Sequence, residues 1–216
     1  HHLTMKPGSW LYSSYDTIET LADVYKDDSR KQEFMRRNNE KGKVYFALHD
    51  VNSIHSILPH IKNEHSDILK EKLSRILKMN ILPSGNLHNN QARNTLWELN
   101  FLSRLKRANI KATLGDPNPD ILAEFEARKY CIQCKRLYSP RPESFQKNIK
   151  KAVKQLENDL LHENDETLGV LAFSLERSLT GGELMLVTDT EQAGKDKLVS
   201  LIENVISRHG HLWQDP

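Results

Sequence analysis

Apolar positions in residues 1–86 recur three and four residues apart, which is the period of a helix with one buried face. The segment that contains Leu69, Leu73 and Ile76 shows this spacing clearly. A run of turn-forming residues, Pro83 to Asn86, then interrupts the pattern. We therefore predict a mainly helical N-terminal region over residues 1–86.

Residues 87–216 follow a different pattern, in which helical spacing alternates with short apolar runs typical of strands. The expected order is helix, three strands, helix, two strands and helix. The predicted helices span residues 94–108, 143–161 and 194–207, and the predicted strands span residues 109–114, 119–125, 129–137, 168–175 and 183–188. This order predicts an α/β domain with a central mixed sheet flanked by helices.

Composition and charge bear on nucleic-acid binding, on membrane insertion and on the cellular compartment. The 216 residues carry a formal net charge of only +2, so binding of nucleic acid would depend on local basic clusters. No window approaches 18 consecutive apolar residues and no signal peptide is visible, so we expect a cytoplasmic protein that does not enter a membrane. The presence of only two cysteines also agrees with a reducing compartment.

The two cysteines, Cys131 and Cys134, form a Cys-x-x-Cys pair, for which two functional roles compete with a structural one. A zinc site needs two further ligands at a suitable spacing, and a redox pair usually opens a helix. No second pair follows here, and both cysteines lie inside a predicted strand, where residues three apart face opposite sides. We expect two small buried strand residues.

Residues with distinctive chemistry lie on the second and third predicted strands. Asp120 opens one strand, and Gln133 and Lys135 lie in the next. The polar residues 126–129 between them predict a hairpin. Because side chains alternate along a strand, Gln133 and Lys135 share a face. A partly buried ammonium needs a partner, and an acid on the neighbouring strand supplies one.

A further acid, Glu98, lies on the preceding predicted helix. It precedes Phe101, Leu102 and Leu105 by three, four and seven residues, so it falls on the apolar stripe. A carboxylate that faces a core needs a metal or a cation, because an unpaired buried charge is costly. Glu98 is therefore a candidate for a functional site. The alternative is an acid at the edge of the stripe that pairs with a lysine.

Two short stretches, Pro119-Asp120 and Gln133-Cys134-Lys135, together resemble the motif of the PD-(D/E)XK nuclease superfamily. They are most similar to Mrr-type restriction endonuclease catalytic domains, in which Gln stands in place of the second acid. The resemblance covers roughly residues 90–190 and implies a restriction-endonuclease-like core within residues 87–216. It also implies a metal-dependent endonuclease, acting on DNA in restriction or phage defence.

The resemblance implies a role for each motif residue at a site for Mg²⁺ or Mn²⁺. Asp120 would be the principal carboxylate ligand, and Glu98 would be a second ligand, directly or through water. The Gln133 amide oxygen and the Cys134 backbone carbonyl would complete the set. Lys135 would orient or deprotonate the attacking water and stabilise the developing charge. Gln133 carries one negative charge less than an acid, so metal binding should be weaker.

Two other acids near the end of the second strand, Glu124 and Glu126, are alternative ligands. Glu124 shares the parity of Asp120, four residues on. We expect both to occupy ordinary solvent-facing positions.

Basic residues after the motif are candidates for contacts with nucleic acid, above all with double-stranded DNA. Arg136 and Arg141 lie closest to the motif. The next predicted helix adds a basic face formed by Lys147, Lys150, Lys151 and Lys154. Such rows are also common on solvated helix faces. The helices of residues 1–86 are candidates for forming a homodimer or binding a partner protein.

Two other functions stay open at this point. The domain could bind nucleic acid or another protein without cutting, because a fold does not guarantee an activity. It could also act on RNA, since the motif does not distinguish the two nucleic acids. The presence of suitable residues at Glu98, Asp120, Gln133 and Lys135 favours a nuclease over a module that only binds.

Overall fold

The computed structural model of the chain describes residues 4–39, 43–61, 66–78, 91–115, 118–137, 141–163, 166–175 and 189–209. Within these residues the protein has seven helices and four strands, so the predicted α/β class is confirmed. The helices are α1 (Trp10–Val24), α2 (Asp28–Asn39), α3 (Lys43–Ile61), α4 (Asp67–Lys78), α5 (Gln91–Arg107), α6 (Pro142–Leu160) and α7 (Glu191–His209); the strands are β1 (Lys111–Leu114), β2 (Ile121–Phe125), β3 (Arg128–Arg136) and β4 (Leu168–Ser174).

By its internal contacts the chain divides into two compact units, residues 1–114 and residues 115–216. The boundary predicted near residue 86 lies outside the described residues, and the observed division falls after Leu114. Helix α5 belongs to the first unit because its side chains bond to the helices before it. The hydroxyl of Ser103 in α5, for example, donates a 3.0 Å hydrogen bond to the carbonyl of Ser56 in α3.

Helix α1 begins at Trp10 because Ser9 caps it. The Ser9 hydroxyl accepts a hydrogen bond from the backbone N–H of Tyr12 at 3.3 Å, which satisfies one of the free donors at the helix start. This start brings the buried Trp10 indole against α4, where its Nε1 donates to the carbonyl of Ile76 at 2.9 Å.

A buried ion pair links three helices of the first unit. Asp50 of α3 is 3% exposed, and its Oδ2 lies 3.2 Å from the guanidinium of Arg93 in α5. The hydroxyl of Ser14 in α1 donates to the same oxygen at 3.3 Å. Because a buried charge is costly without partners, these contacts fix how α1, α3 and α5 pack.

The four strands form one mixed sheet in the order β1-β2-β3-β4. Strands β2 and β3 are antiparallel and are joined by the predicted hairpin, and β4 runs parallel to β3. The two turn residues, Glu126 and Ala127, have φ angles of 49° and 61°. Positive φ at both positions gives the turn that matches the twist of the strands. The resulting register pairs Ile121 with Ile132.

Helix α6 connects β3 to β4 and covers one face of both. Gly169 in β4 permits a close approach, because a Cβ atom there would lie 2.8 Å from Leu156 Cδ2 and 3.0 Å from Leu160 Cδ1 of α6. Gly169 pairs with Cys131 in the register. The face of β3 that carries Cys131, and with it every odd-numbered residue of the strand, therefore looks onto α6.

The other end of α6 holds the apolar core of the second unit. Phe145 and Ile149 pack with Leu137 in a buried cluster, to which Phe173 of β4 and Val205 of α7 add partly buried side chains. Burial of this cluster fixes the direction of α6 along the sheet.

The helices within the described ranges are all too short or too polar to cross a lipid bilayer. The strand predicted over residues 183–188 lies outside the described residues.

Candidate active site

The hairpin register brings Asp120 across from Gln133. Ile121 pairs with Ile132, so the next pair of positions outward is Asp120 and Gln133. Directly opposed residues of antiparallel strands point to the same face. Lys135, two residues beyond Gln133, points there as well. An acid, an amide and an ammonium group therefore meet on the face of the sheet that looks onto α6.

Asp120 is held by backbone contacts. Its Oδ2 accepts a 2.8 Å hydrogen bond from the N–H of Cys134 in β3. Its backbone carbonyl accepts a hydrogen bond from the N–H of Gly115 at 3.3 Å. Gly115 has no space for a side chain, because a Cβ atom would overlap the carbonyl oxygen of Pro119. These contacts fix the carboxylate at the start of β2.

Lys135 lies between the acid and the amide. Its Nζ donates a 3.2 Å hydrogen bond to Oε1 of Gln133 and lies 4.0 Å from Oδ2 of Asp120. The side chains of Lys135 and Asp120 are 25% and 17% exposed, so the pair is partly shielded from water. Shielding lowers the effective dielectric and strengthens the attraction relative to a surface pair.

Gln133 is almost fully buried, and both ends of its amide are bonded. Its Oε1 accepts from Lys135, and its Nε2 donates a 2.6 Å hydrogen bond to Oδ2 of Asp159 in α6. Asp159 is half-buried and does not belong to the predicted set of site residues. The contacts form one polar chain that runs from Asp120 through Lys135 and Gln133 to Asp159.

A sequence signal for Asp159 does exist. The buried side chains of α6 recur at Ile149, Ala152 and Leu156, and Asp159 continues this stripe three residues on. An acid on an apolar helix stripe is the same pattern that singles out Glu98. Applied to α6, the same rule would have found Asp159.

Glu98 lies in the first unit, on α5. Its Oε2 is 2.5 Å from the Nζ of Lys72 in α4, and both side chains are largely buried. The carboxylate therefore has the cation partner that its position on the apolar stripe requires. This ion pair is the alternative to metal binding that the sequence also allows, and a role for Glu98 as a metal ligand stays a prediction.

Burial raises the pKa of the Cys131 thiol to about 11, and the negative charges of Glu163 and Asp159 add to this effect. The thiol is therefore protonated at neutral pH, which makes it a poor metal ligand and a poor nucleophile. Cys131 and Cys134 are both buried and form no disulfide. Their placement agrees with the structural interpretation of the Cys-x-x-Cys pair.

The oxygen donors near Asp120 suit a hard divalent cation. Asp120 offers carboxylate oxygens and Gln133 an amide oxygen, and Mg²⁺ prefers oxygen ligands completed by water. The carbonyl of Cys134 lies on the same edge of β3 as its N–H, which faces Asp120. In the part of the chain that the structure describes, no group of three or more His, Cys, Asp or Glu side chains could hold a metal ion. Metal binding by Asp120 and Gln133 stays a prediction.

The basic residues predicted to contact nucleic acid lie in three places. Arg136 follows Lys135 in β3, so it points to the opposite face of the sheet and does not join Asp120. Arg141 is exposed directly before α6. One exposed face of α6 carries Lys147, Lys150, Lys151 and Lys154. Their binding to nucleic acid stays a prediction.

The alternative acids of the second strand face solvent. Glu124 stands opposite Lys129 in the register, and Glu126 lies in the hairpin turn. Both are exposed.

Comparisons with protein-family models, with curated proteins and with solved structures found no match.

Proposed function

We propose that this chain is a metal-dependent endonuclease with a restriction-endonuclease-like core. It would hydrolyse phosphodiester bonds of DNA in the cytoplasm, in restriction or phage defence. The observation that carries the proposal is the contact of the Lys135 ammonium with both the Asp120 carboxylate and the Gln133 amide oxygen on one face of the hairpin. The choice of DNA follows the resemblance of the motif to Mrr-type domains.

Hydrolysis of a phosphodiester needs a positioned water and stabilisation of the charge that builds up on the phosphate. A bound Mg²⁺ or Mn²⁺ would lower the pKa of a water molecule and offset charge on the phosphate oxygens. Asp120 would hold the ion through its carboxylate, and Gln133 through Oε1. Both oxygens face the Lys135 ammonium, so this group would have to turn away from them when an ion binds.

Lys135 would act as the mobile cation of the site. Its side chain is 25% exposed, so one side of it is open to solvent and to a substrate. An ammonium group carries three donors on a flexible stem. Turned toward the scissile phosphate, it would donate to a phosphate oxygen, stabilise the extra negative charge of the transition state and orient the attacking water.

The test is cleavage of supercoiled plasmid, linear duplex DNA and RNA in the presence of Mg²⁺, Mn²⁺ or EDTA. Lys135→Ala and Gln133→Ala should each lower the rate by about 10²-fold or more, the scale for loss of one positioned electrostatic group. Lys129→Ala is the matched control, because this exposed lysine lies on the same strand and its removal changes the charge equally.

The outcomes separate the competing functions. Metal-dependent DNA cleavage that requires Lys135 supports the proposal, and full activity of Lys135→Ala contradicts it. Binding of nucleic acid without cleavage would favour the inactive module, an alternative that fits the position of Lys135 between the two candidate ligand oxygens. Cleavage of RNA alone would indicate a ribonuclease. Dimer formation or partner binding through the N-terminal helices stays a prediction.

A further inference from the structure

Asp159 occupies a position that its own helix disfavours. It lies in the last turn of α6, which holds no basic residue. The carbonyl groups at a helix C-terminus form the negative end of the helix dipole, so a carboxylate is repelled there. The hydrogen bond from Gln133 Nε2 offsets this repulsion, because N–H groups that donate to a charged acceptor form strong bonds.

The Asp159 carboxylate also decides which way the Gln133 amide points. An ionised carboxylate can only accept hydrogen bonds, so the amide must turn its NH₂ group toward Asp159. Its carbonyl oxygen then points to the Lys135 ammonium. The reverse orientation would place two acceptors together on one side and two donors on the other. Gln133 is 1% exposed, so water has little access to compensate.

We propose that Asp159 is a positioning residue that holds the Gln133 carbonyl oxygen toward the cation position of the site. Through the amide, Asp159 also supplies the negative charge that an acid at position 133 would carry directly. The catalytic consequence rests on the proposed nuclease function, whereas the pairing itself does not. Gln133 and Asp159 are therefore one unit, in which the strand supplies the amide and the helix supplies the acid.

Because of this pairing, Gln133→Glu would do more than add a negative charge to a candidate metal ligand. A carboxylate at position 133 would meet the Asp159 carboxylate at hydrogen-bonding distance, and two such groups cannot both ionise easily. The pair would retain a shared proton at pH values where an isolated carboxylate is charged. Gln133→Glu combined with Asp159→Asn exchanges the two groups and restores one amide beside one carboxylate.

The experiment compares four proteins: the wild type, Asp159→Asn, Gln133→Glu and the double variant. Glu157→Gln is the matched control, because it removes an exposed acid from the same turn of α6. The side-chain ¹⁵N resonance of Gln133, the carboxyl pKa values from ¹³C shifts and the Mn²⁺ affinity are measured between pH 5 and 8. None of these readouts requires cleavage.

Asp159→Asn should shift the Gln133 resonance and weaken Mn²⁺ binding about 10-fold or more, the scale for loss of a group that orients a ligand. Glu157→Gln should change neither. Gln133→Glu should raise one carboxyl pKa by about one unit or more, and the double variant should reverse that rise. If Gln133→Glu does not fold, the Gln133 resonance and the Mn²⁺ affinity of Asp159→Asn are sufficient to test the proposal.

An unchanged Gln133 resonance in Asp159→Asn would overturn the proposal, as would an ordinary carboxyl pKa in Gln133→Glu. The cleavage assay reports separately on the proposed function. If Gln133 and Asp159 are coupled but the protein cleaves no nucleic acid, the pairing stands and the proposed nuclease function is refuted. Metal-dependent cleavage that is unchanged in Asp159→Asn would support the nuclease function and refute the positioning role of Asp159.

Discussion

The backbone N–H of Cys134 donates a 2.8 Å hydrogen bond to Oδ2 of Asp120. This bond ties the acid to the middle of the sheet, although Asp120 itself lies just before β2. A backbone donor holds the carboxylate more rigidly than a flexible side chain would, because it has no rotamers to lose. The site is thus preorganised around Asp120, and an incoming metal ion would meet a carboxylate that is already in place.

Gly115→Ala should displace the acid. The new methyl group would overlap the Pro119 carbonyl, so the segment that carries Asp120 would have to move. We expect Mn²⁺ affinity, measured by calorimetry, to fall about 10-fold or more, since loss of ligand positioning has effects on this scale. Gly8→Ala is the control, because it strains a positive-φ glycine of the first unit, where the new methyl group would meet no atom within 4 Å. Equal affinity of Gly115→Ala and wild type would show that Asp120 is held in another way.

Cys131 should titrate near pH 11 in the folded protein. In a Cys134→Ala background Cys131 is the one cysteine of the chain, so the ¹³Cβ shift of cysteine-labelled protein reports on this thiol alone. Asp159→Asn should lower the midpoint, because the Asp159 charge helps to raise the pKa of Cys131. A midpoint below about 9 in the parent protein would be incompatible with a desolvated thiol.

The raised pKa of Cys131 also makes stability depend on pH in the alkaline range. The folded state favours the neutral thiol, so the stabilising contribution is complete below about pH 8.5, where the unfolded thiol is neutral too. It is lost as the pH rises toward 11. The urea midpoint should therefore fall between about pH 8.5 and 10.5, and this fall should be smaller in Cys131→Ala.

Binding to duplex DNA should depend on the lysine face of α6. The exposed Lys147 and Lys151 lie one helical turn apart. Replacing both by Ala should reduce the slope of log affinity against log salt by up to about 0.9 for each phosphate that the protein no longer neutralises. The control replaces the exposed Lys195 and Lys197 of α7, which changes the net charge equally. Equal slopes for the two double variants would contradict a role for this face.

Asp50→Ala should destabilise the first unit. It would leave the largely buried Arg93 guanidinium without the carboxylate that lies 3.2 Å away. Removing one partner of a buried pair costs about 3–5 kcal/mol. Thermal and urea unfolding should show this loss, whereas Asp67→Ala, at the start of α4, should have a small effect. A change of less than about 1 kcal/mol for Asp50→Ala would mean that the pair adds little.

Local pattern was enough to predict much of the secondary structure. Apolar spacing predicts helices close to the observed α4, α5 and α6, because burial of one helix face leaves a periodic trace in the sequence. The alternation of β3 and the polar residues 126–129 predict the hairpin. Since side-chain direction in a strand follows from parity alone, the common face of Gln133 and Lys135 could be inferred from the sequence.

Tertiary structure decided which partners the polar groups have. The apolar run over residues 44–48 fits a strand or a helix by composition, and in the structure it lies in α3, where Val44 and Ala47 are buried. Glu98 on its stripe requires a cation, but the sequence does not say that Lys72 supplies it. The Gln133–Asp159 bond joins residues 26 positions apart, and it depends on how closely α6 packs on the sheet at Gly169. The sequence alone determined which charged residues fall on buried faces and need a partner, because burial follows the period of a helix or strand. Only the tertiary structure determined which group is that partner, because contacts between residues far apart in the chain leave no periodic pattern in the sequence.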